Sequence, residues 1–208
     1  MFDARIRPLI DGPLNAAGRW LSGRGIEADH VTLAGFALGI AGAVAIASGA
    51  FAIAFVLILC NRVFDGLDGA VARATRKTDR GAFLDIALDF GFYAAVPLAF
   101  GIADPAQNAL AAAFLLASFL VNGAAFLAFA LMAAKRHLTT SAQGVKSLYY
   151  MAGAAEGAET ILVFLTACAW PAAFRWLALL FSGLCFLSAI ARLILGWRLL
   201  SKAELGQS

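Results

Sequence analysis

Two runs decide how this chain is read: Asp65-Gly66-Leu67-Asp68-Gly69-Ala70-Val71-Ala72-Arg73 and Gly81-Ala82-Phe83-Leu84-Asp85-Ile86-Ala87-Leu88-Asp89. Asp65 and Asp68 are three residues apart, and Asp85 and Asp89 are four apart. On helices each pair shares a face. Gly66, Gly69 and Gly81 take side chains away beside those carboxylates, so a ligand or a second backbone can come close. Arg73, Arg76, Lys77 and Arg80 put cations next to the acids.

Working outward, the surroundings are mostly hydrocarbon. Of 208 residues, 62% are hydrophobic and only 14% charged, with a mean hydropathy of +0.83. A soluble domain averages about 45–50% apolar and about 25% charged. The chain therefore reads as an all-α integral membrane protein. Its net charge of +3 is small, and the bases lie in short clusters between apolar spans, which speaks against a nucleic-acid partner. Cys60, Cys168 and Cys185 lie within or at the ends of apolar segments, match no metal spacing and are odd in number, so they read as packing residues. With Asp3, Asp11, Pro8 and Pro13, the first twenty residues do not resemble a cleavable leader.

Residues 1–25 read as an interfacial amphipathic segment, apolar side down and arginines toward headgroups, with Pro8 and Pro13 expected to break or bend it. Residues 26–208 read as one domain of six transmembrane helices. Asp29 is the expected N-cap of the first. The spans fall at 31–50, 51–75, 81–103, 106–134, 147–169 and 172–197, joined by tight returns at Ser48-Gly49, Asp104-Pro105 and Trp170-Pro171. Arg5, Arg7, Arg19, Arg24, the 73–80 cluster, Lys135, Arg136, Lys146, Arg198 and Lys202 all fall on one side, against Arg175 on the other. The positive-inside rule puts that side, both termini and the acid-bearing ends of spans two and three in the cytoplasm. Trp170, Trp176 and Trp197 fit the interfacial belts.

An ionised carboxylate at membrane depth costs at least ~2.5–3.5 kcal/mol, and clustered carboxylates repel one another. Hard divalent cations with oxygen ligands relieve both problems, and Mg²⁺ shares carboxylates with substrate phosphates. Two helices, each offering a pair of acids, suit a pair of such ions and phosphoryl transfer, with one acid left to accept a proton from a hydroxyl. The plainer alternative has the aspartates capping helix ends and pairing with Arg73, Arg76 and Arg80.

The two runs resemble the CDP-alcohol phosphotransferase (CDP-alcohol phosphatidyltransferase) signature, D-x-x-D-G-x-x-A-R, a spacer, then G-x-x-x-D-x-x-x-D. Asp65, Asp68, Gly69, Ala72, Arg73, Gly81, Asp85 and Asp89 fill every fixed position. The spacer from Arg73 to Gly81 holds seven residues, about one fewer than the family pattern. The resemblance implies a bacterial inner-membrane enzyme, a homodimer, with Mg²⁺ or Mn²⁺, two ions, held by Asp65, Asp68, Asp85 and Asp89. Asp89 doubles as general base. Thr32, Gly66, Gly69, Ala72, Arg73, Thr78 and Gly81 are implied at the CDP site. The implied reaction is attack of an alcohol on CDP-diacylglycerol, with release of CMP.

Span five carries Lys146, Tyr149, Tyr150, Glu156, Glu159 and Thr160. An acid inside a span is a functional-site candidate. Lys146, Glu156 and Glu159 are expected at an acceptor pocket; the alternative is that the glutamates pair inside the bundle with Arg62 or Arg192. Inositol phosphate-binding members resemble one another in an arginine directly after a glutamate here, where this chain has Thr160 after Glu159. Two acids with few bases favour an amino alcohol such as serine, ethanolamine or choline over glycerol 3-phosphate or inositol phosphate. His137, beside Lys135 and Arg136, reads as solvated, and His30 as part of a helix start. From other classes, an ion-coupled transporter and a metal-binding structural protein also fit acids in spans. A transporter needs them near the midplane, whereas these gather toward one side.

Overall fold

The computed structural model describes residues 3–135 and 157–205. Helix α1 (Asp3–Ser22) is followed by α2 (Ala28–Ala47), α3 (Phe51–Ala74), α4 (Asp79–Ala103), α5 (Pro105–Lys135), α6 (Gly157–Ala169), a 3₁₀ turn (Pro171–Ala173) and α7 (Phe174–Leu205). No strand occurs among the described residues.

Helix α2 is the hub, packed on both α3 and α4; α4 packs on α5 and α5 on α7. Its glycines make that possible. A Cβ on Gly39 would lie 2.6 Å from Cδ2 of Phe92, so α2 sits directly against the α4 ring. Gly49, at φ 80°, takes the left-handed turn that sends the chain back into α3. Away from the acids the core is aromatic. Phe100 of α4 stacks on Phe174 of α7 at 4.2 Å, and Phe92 meets Phe164 of α6 edge-on at 6.0 Å. Cys168 and Cys185 are buried in this core as free thiols, as expected of packing residues.

The structure corrects two expectations. Pro8 and Pro13 do not break the N-terminal segment, because α1 runs unbroken from Asp3 to Ser22. A proline's φ is already helical; its penalty is the missing N–H and a clash with the preceding turn. Packing against α3 offsets this: Gly18 of α1 lies so close to Ala70 that a Cβ would come within 2.7 Å of backbone. Second, Glu27 caps α2, not Asp29. The Glu27 N–H donates to Nδ1 of His30 at 3.3 Å, which frees Asp29 to reach Arg80 at 2.8 Å.

Of the six expected spans, four are long and apolar enough to cross a membrane among the described residues: α2, α4, α5 and Pro171–Ser201. Helix α3 has the length, 24 residues, but Arg62, Asp65, Asp68 and Arg73 crowd its second half. Of the expected span 147–169, only α6 with its 13 residues is described. Lys146, Glu156 and His137 lie outside the described residues.

Candidate active site

Helix α3 presents Arg62, Asp65 and Asp68 one turn apart; α4 presents Asp85 and Asp89, also one turn apart. Helix α4 can begin there because Thr78 caps it, Oγ1 accepting from the Gly81 N–H at 3.0 Å. Helix α2 closes the back with Thr32 and Gly35. All four aspartates line one small cleft of about 20 Å³ together with Arg62, Asn61 and Thr32. The two acidic pairs, read apart in sequence, are one constellation.

They are not equivalent within it. Asp65, Asp85 and Asp89 each bring a carboxylate oxygen within 4.8 Å of the other two. Asp68 stands aside, because Oδ2 accepts a hydrogen bond from the Thr32 hydroxyl at 2.7 Å and its residue is buried. Three convergent carboxylate oxygens are a hard donor set, matched to Mg²⁺ or Mn²⁺ and not to softer thiophilic metals. Asp65, Asp85 and Asp89 therefore fit the divalent ion that the sequence implies, and the structure gives Asp68 a second, hydroxyl-bonded role.

The cations are not where the plainer alternative put them. Arg73 donates through Nε and Nη2 to Asn15 Oδ1 of α1, at 3.3 and 3.0 Å. Arg80 pairs with Asp29 at 2.8 Å and Glu27 at 3.5 Å. Among the described residues, the base that reaches the acids is Arg62, 3.2 Å from Asp89 and 3.6 Å from Asp65. Sequence reasoning weighs Arg62 only as a partner for the span-five glutamates. An ionisable side chain one turn ahead of Asp65 in an apolar helix is the signal that could have found it.

A larger cavity lies on each side of the cleft. One, of about 680 Å³, opens among basic side chains and shares Thr32, Asp68 and Asp85 with the cleft. Gly69, Ala72, Arg73, Thr78 and Gly81, which the resemblance implies at the CDP site, line it together with Arg76, Lys77 and Arg80. Gly66 does not. It faces α1, where Leu14 Cδ1 would sit 3.0 Å from an added Cβ, so its missing side chain admits that helix. The other cavity, of about 690 Å³, is walled by Phe90, Tyr93, Phe119 and Phe126 and shares Asp89 with the cleft. Thr160 and Arg192 also line it. Glu159 is half-buried on α6 and is not part of that lining.

The sequence profile of the CDP-alcohol phosphatidyltransferase family matches residues 26–197. The chain belongs to that family. A CDP-alcohol phosphatidyltransferase is a membrane transferase of phospholipid biosynthesis, and the eight fixed signature positions of this one all lie along the cleft or the basic cavity. Among similar proteins, the inner membrane protein YnjF of Escherichia coli is 45% identical over 204 residues, covering 98% of this chain and 99% of that protein. The archaetidylinositol phosphate synthase of Pyrococcus horikoshii is 32% identical over 87 residues, 41% of this chain and 46% of that one. In fold the chain is similar to the phosphatidylinositol phosphate synthase of Mycobacterium tuberculosis solved with CDP-DAG bound. The TM-score is 0.69 at 22% identity, covering 88% of this chain and 93% of that chain.

Proposed function

We propose that this phosphatidyltransferase moves a phosphatidyl group from CDP-diacylglycerol to the hydroxyl of a small polar alcohol, releasing CMP. The observation that carries this is the order of the spaces. Asp68 and Asp85 face the basic cavity as well as the cleft, and Asp89 faces the opposite cavity. A nucleotide diphosphate suits the basic side, where Arg73, Arg76 and Lys77 meet phosphate charge. An alcohol arriving from the other side meets Asp89 first. Asp89 takes the proton from its hydroxyl. The alcohol oxygen then bonds to the phosphorus that carries diacylglycerol, the bond from that phosphorus to the CMP oxygen breaks, and CMP leaves. Asp65, Asp85 and Asp89 would hold one Mg²⁺ or Mn²⁺ ion and Asp68 would help to hold a second, and such ions would neutralise charge on the diphosphate.

For the acceptor we favour an amino alcohol, with Lys146, Glu156 and Glu159 near its pocket. Arg192 in the lining of the Asp89-side cavity supports a second reading, a phosphorylated alcohol such as inositol phosphate or glycerol 3-phosphate. Residues 26–208 form the catalytic domain, six helices crossing the inner membrane, with α1 lying in the interface and the acids toward the cytoplasm. The bases Arg73 to Arg80 beside the acids, with Lys135 and Arg198 near the C-terminal ends of α5 and α7, support that orientation. Glycine- and alanine-rich helices suit the homodimer expected of the family. Acids gathered at one end of the bundle argue against an ion-coupled transporter.

CMP release by the purified protein, with CDP-diacylglycerol, Mg²⁺ or Mn²⁺ and a panel of alcohols, tests the reading. Turnover is expected with serine, ethanolamine or choline. Turnover with inositol phosphate or glycerol phosphate alone moves the assignment to the second acceptor class, and no CMP with any alcohol removes the transferase reading for this substrate.

A further inference from the structure

Arg62 has no part in the reaction as derived above, yet its guanidinium is built into the cleft with care. Its side chain is 17% exposed. Nε donates to Asn61 Oδ1 at 2.9 Å, and Asn61 is itself pinned to α2 through Nδ2 and the Gly35 carbonyl at 2.8 Å. The rings of Phe92 and Tyr93 lie 5.2 and 5.9 Å from the guanidinium carbon. Held this way, the two terminal nitrogens fork across the gap between helices. Nη2 reaches Asp89 Oδ1 of α4 at 3.2 Å, and Nη1 reaches Asp65 Oδ2 of α3 at 3.6 Å. Those are two of the three carboxylates that converge within 4.8 Å.

We infer that Arg62 is a resident counter-charge of the acidic cleft, holding Asp65 and Asp89 together when no divalent ion is bound and competing with the ion when one arrives. This rests on the reading of Asp65, Asp85 and Asp89 as metal ligands. Three carboxylates facing one another repel, and without a cation α3 and α4 would be driven apart at this end. A guanidinium offsets one of the three charges and bridges the two helices through a planar fork, which the point charge of a lysine does not reproduce. The same positive charge, a few ångströms from the ligand oxygens, weakens their hold on a second cation. Arg62 is therefore a positioning residue. It keeps the empty site assembled and lowers the metal affinity, so that the ion binds firmly only when substrate phosphates add their negative charge.

The test is Mn²⁺ binding to full-length protein in detergent, by calorimetry or electron paramagnetic resonance, together with thermal unfolding in EDTA and in Mn²⁺. Arg62→Met is expected to bind Mn²⁺ at least about tenfold more tightly than wild type. Its Tm falls below wild type in EDTA, and Mn²⁺ closes that gap. Arg62→Gln behaves like Arg62→Met, and Arg62→Lys returns the Mn²⁺ affinity toward wild type, which separates charge from packing. A Met variant that folds only with Mn²⁺ present also supports the inference. Equal or weaker Mn²⁺ binding in the Met and Gln variants, or a Tm gap of the same size with and without Mn²⁺, overturns it. Asp85→Asn, which alters the trio but leaves both Arg62 ion pairs in place, keeps the two readings apart. Mn²⁺ bound by wild type, lost in Asp85→Asn and unchanged in Arg62→Met, sinks the role of Arg62 alone. No Mn²⁺ bound by wild type or variants sinks the metal reading and this inference with it.

Discussion

At one end of α4, Phe100 stacks on Phe174 at 4.2 Å and on Phe51 at 5.9 Å, and every one of these contacts is hydrocarbon on hydrocarbon. At the other end of the same helix, Asp85 and Asp89 face Asp65, Asp68 and Arg62 across a cleft with room for about one small ion or water. Both ends lean on α2 or its neighbours. The aromatic end is satisfied by shape alone and needs nothing from outside. The acidic end is satisfied only when charges balance, and the chain supplies part of that balance in Arg62. Stability is concentrated at one end and chemistry at the other, and the two ends respond to different kinds of substitution.

The sharpest way to break that division is at Asp89. Asp89→Asn keeps the side-chain volume and removes the proton acceptor. CMP release is expected to fall by about 10²- to 10⁴-fold, with CDP-lipid binding retained. A variant that still turns over near the wild-type rate shows that the base lies elsewhere in the cleft.

The opposite experiment is at the aromatic end. Phe100 is fully buried. Phe100→Ala leaves a cavity between α4 and α7 and is expected to lower stability by about 3–5 kcal/mol, read as the unfolding free energy in detergent. CMP release per folded molecule stays close to wild type. Loss of specific activity without loss of stability would show that the two ends are coupled.

These two regions also differ in how far they could be read from the chain alone. The acids were legible because carboxylates three and four apart in apolar helices are costly unless a cation meets them. Their grouping into Asp65, Asp85 and Asp89, with Asp68 turned toward Thr32, was not. Helical spacing says which residues share a face, but it is silent on which neighbouring helix supplies a hydroxyl to that face. The surroundings of Gly66 were illegible for the same reason. A glycine beside an aspartate reads as room for a ligand, and only the position of Leu14 shows that α1 fills the room. The continuous α1 was missed because proline weighs heavily in a local reading, while the close seam of Gly18 on Ala70 is a long-range contact. In the aromatic end the helices themselves were legible from hydropathy, but the pairing of Phe100 with Phe174, far apart in sequence, was not.

Between the extremes lies Thr32, whose hydroxyl belongs to both the cleft and the basic cavity. Thr32→Val removes the 2.7 Å hydrogen bond to Asp68 and leaves a similar volume. A buried carboxylate that loses one neutral donor gives up about 1–3 kcal/mol. The loss should fall on donor binding, as a rise of about tenfold in KM for the CDP-lipid with kcat within a few-fold of wild type. A fall in kcat at unchanged KM would place Asp68 with the reacting groups instead of with the nucleotide.

The smallest effect belongs to the rim. Arg80 ties the start of α4 to the start of α2 through Asp29 and Glu27, at 2.8 and 3.5 Å, in the position of a latch on the basic cavity. Its side chain is 73% exposed. Water and salt screen such a pair, and ordering a long side chain offsets much of the attraction, so exposed ion pairs contribute about 0–1 kcal/mol. Arg80→Ala is therefore expected to change the unfolding free energy by less than about 1 kcal/mol, with a difference that vanishes in high salt. CMP release should stay within about twofold, since Arg73, Arg76 and Lys77 remain around the same cavity. A large loss confined to KM would mean that Arg80 leaves its acids to hold phosphate. The charge balance that governs the acidic cleft would then extend to the rim of the nucleotide cavity.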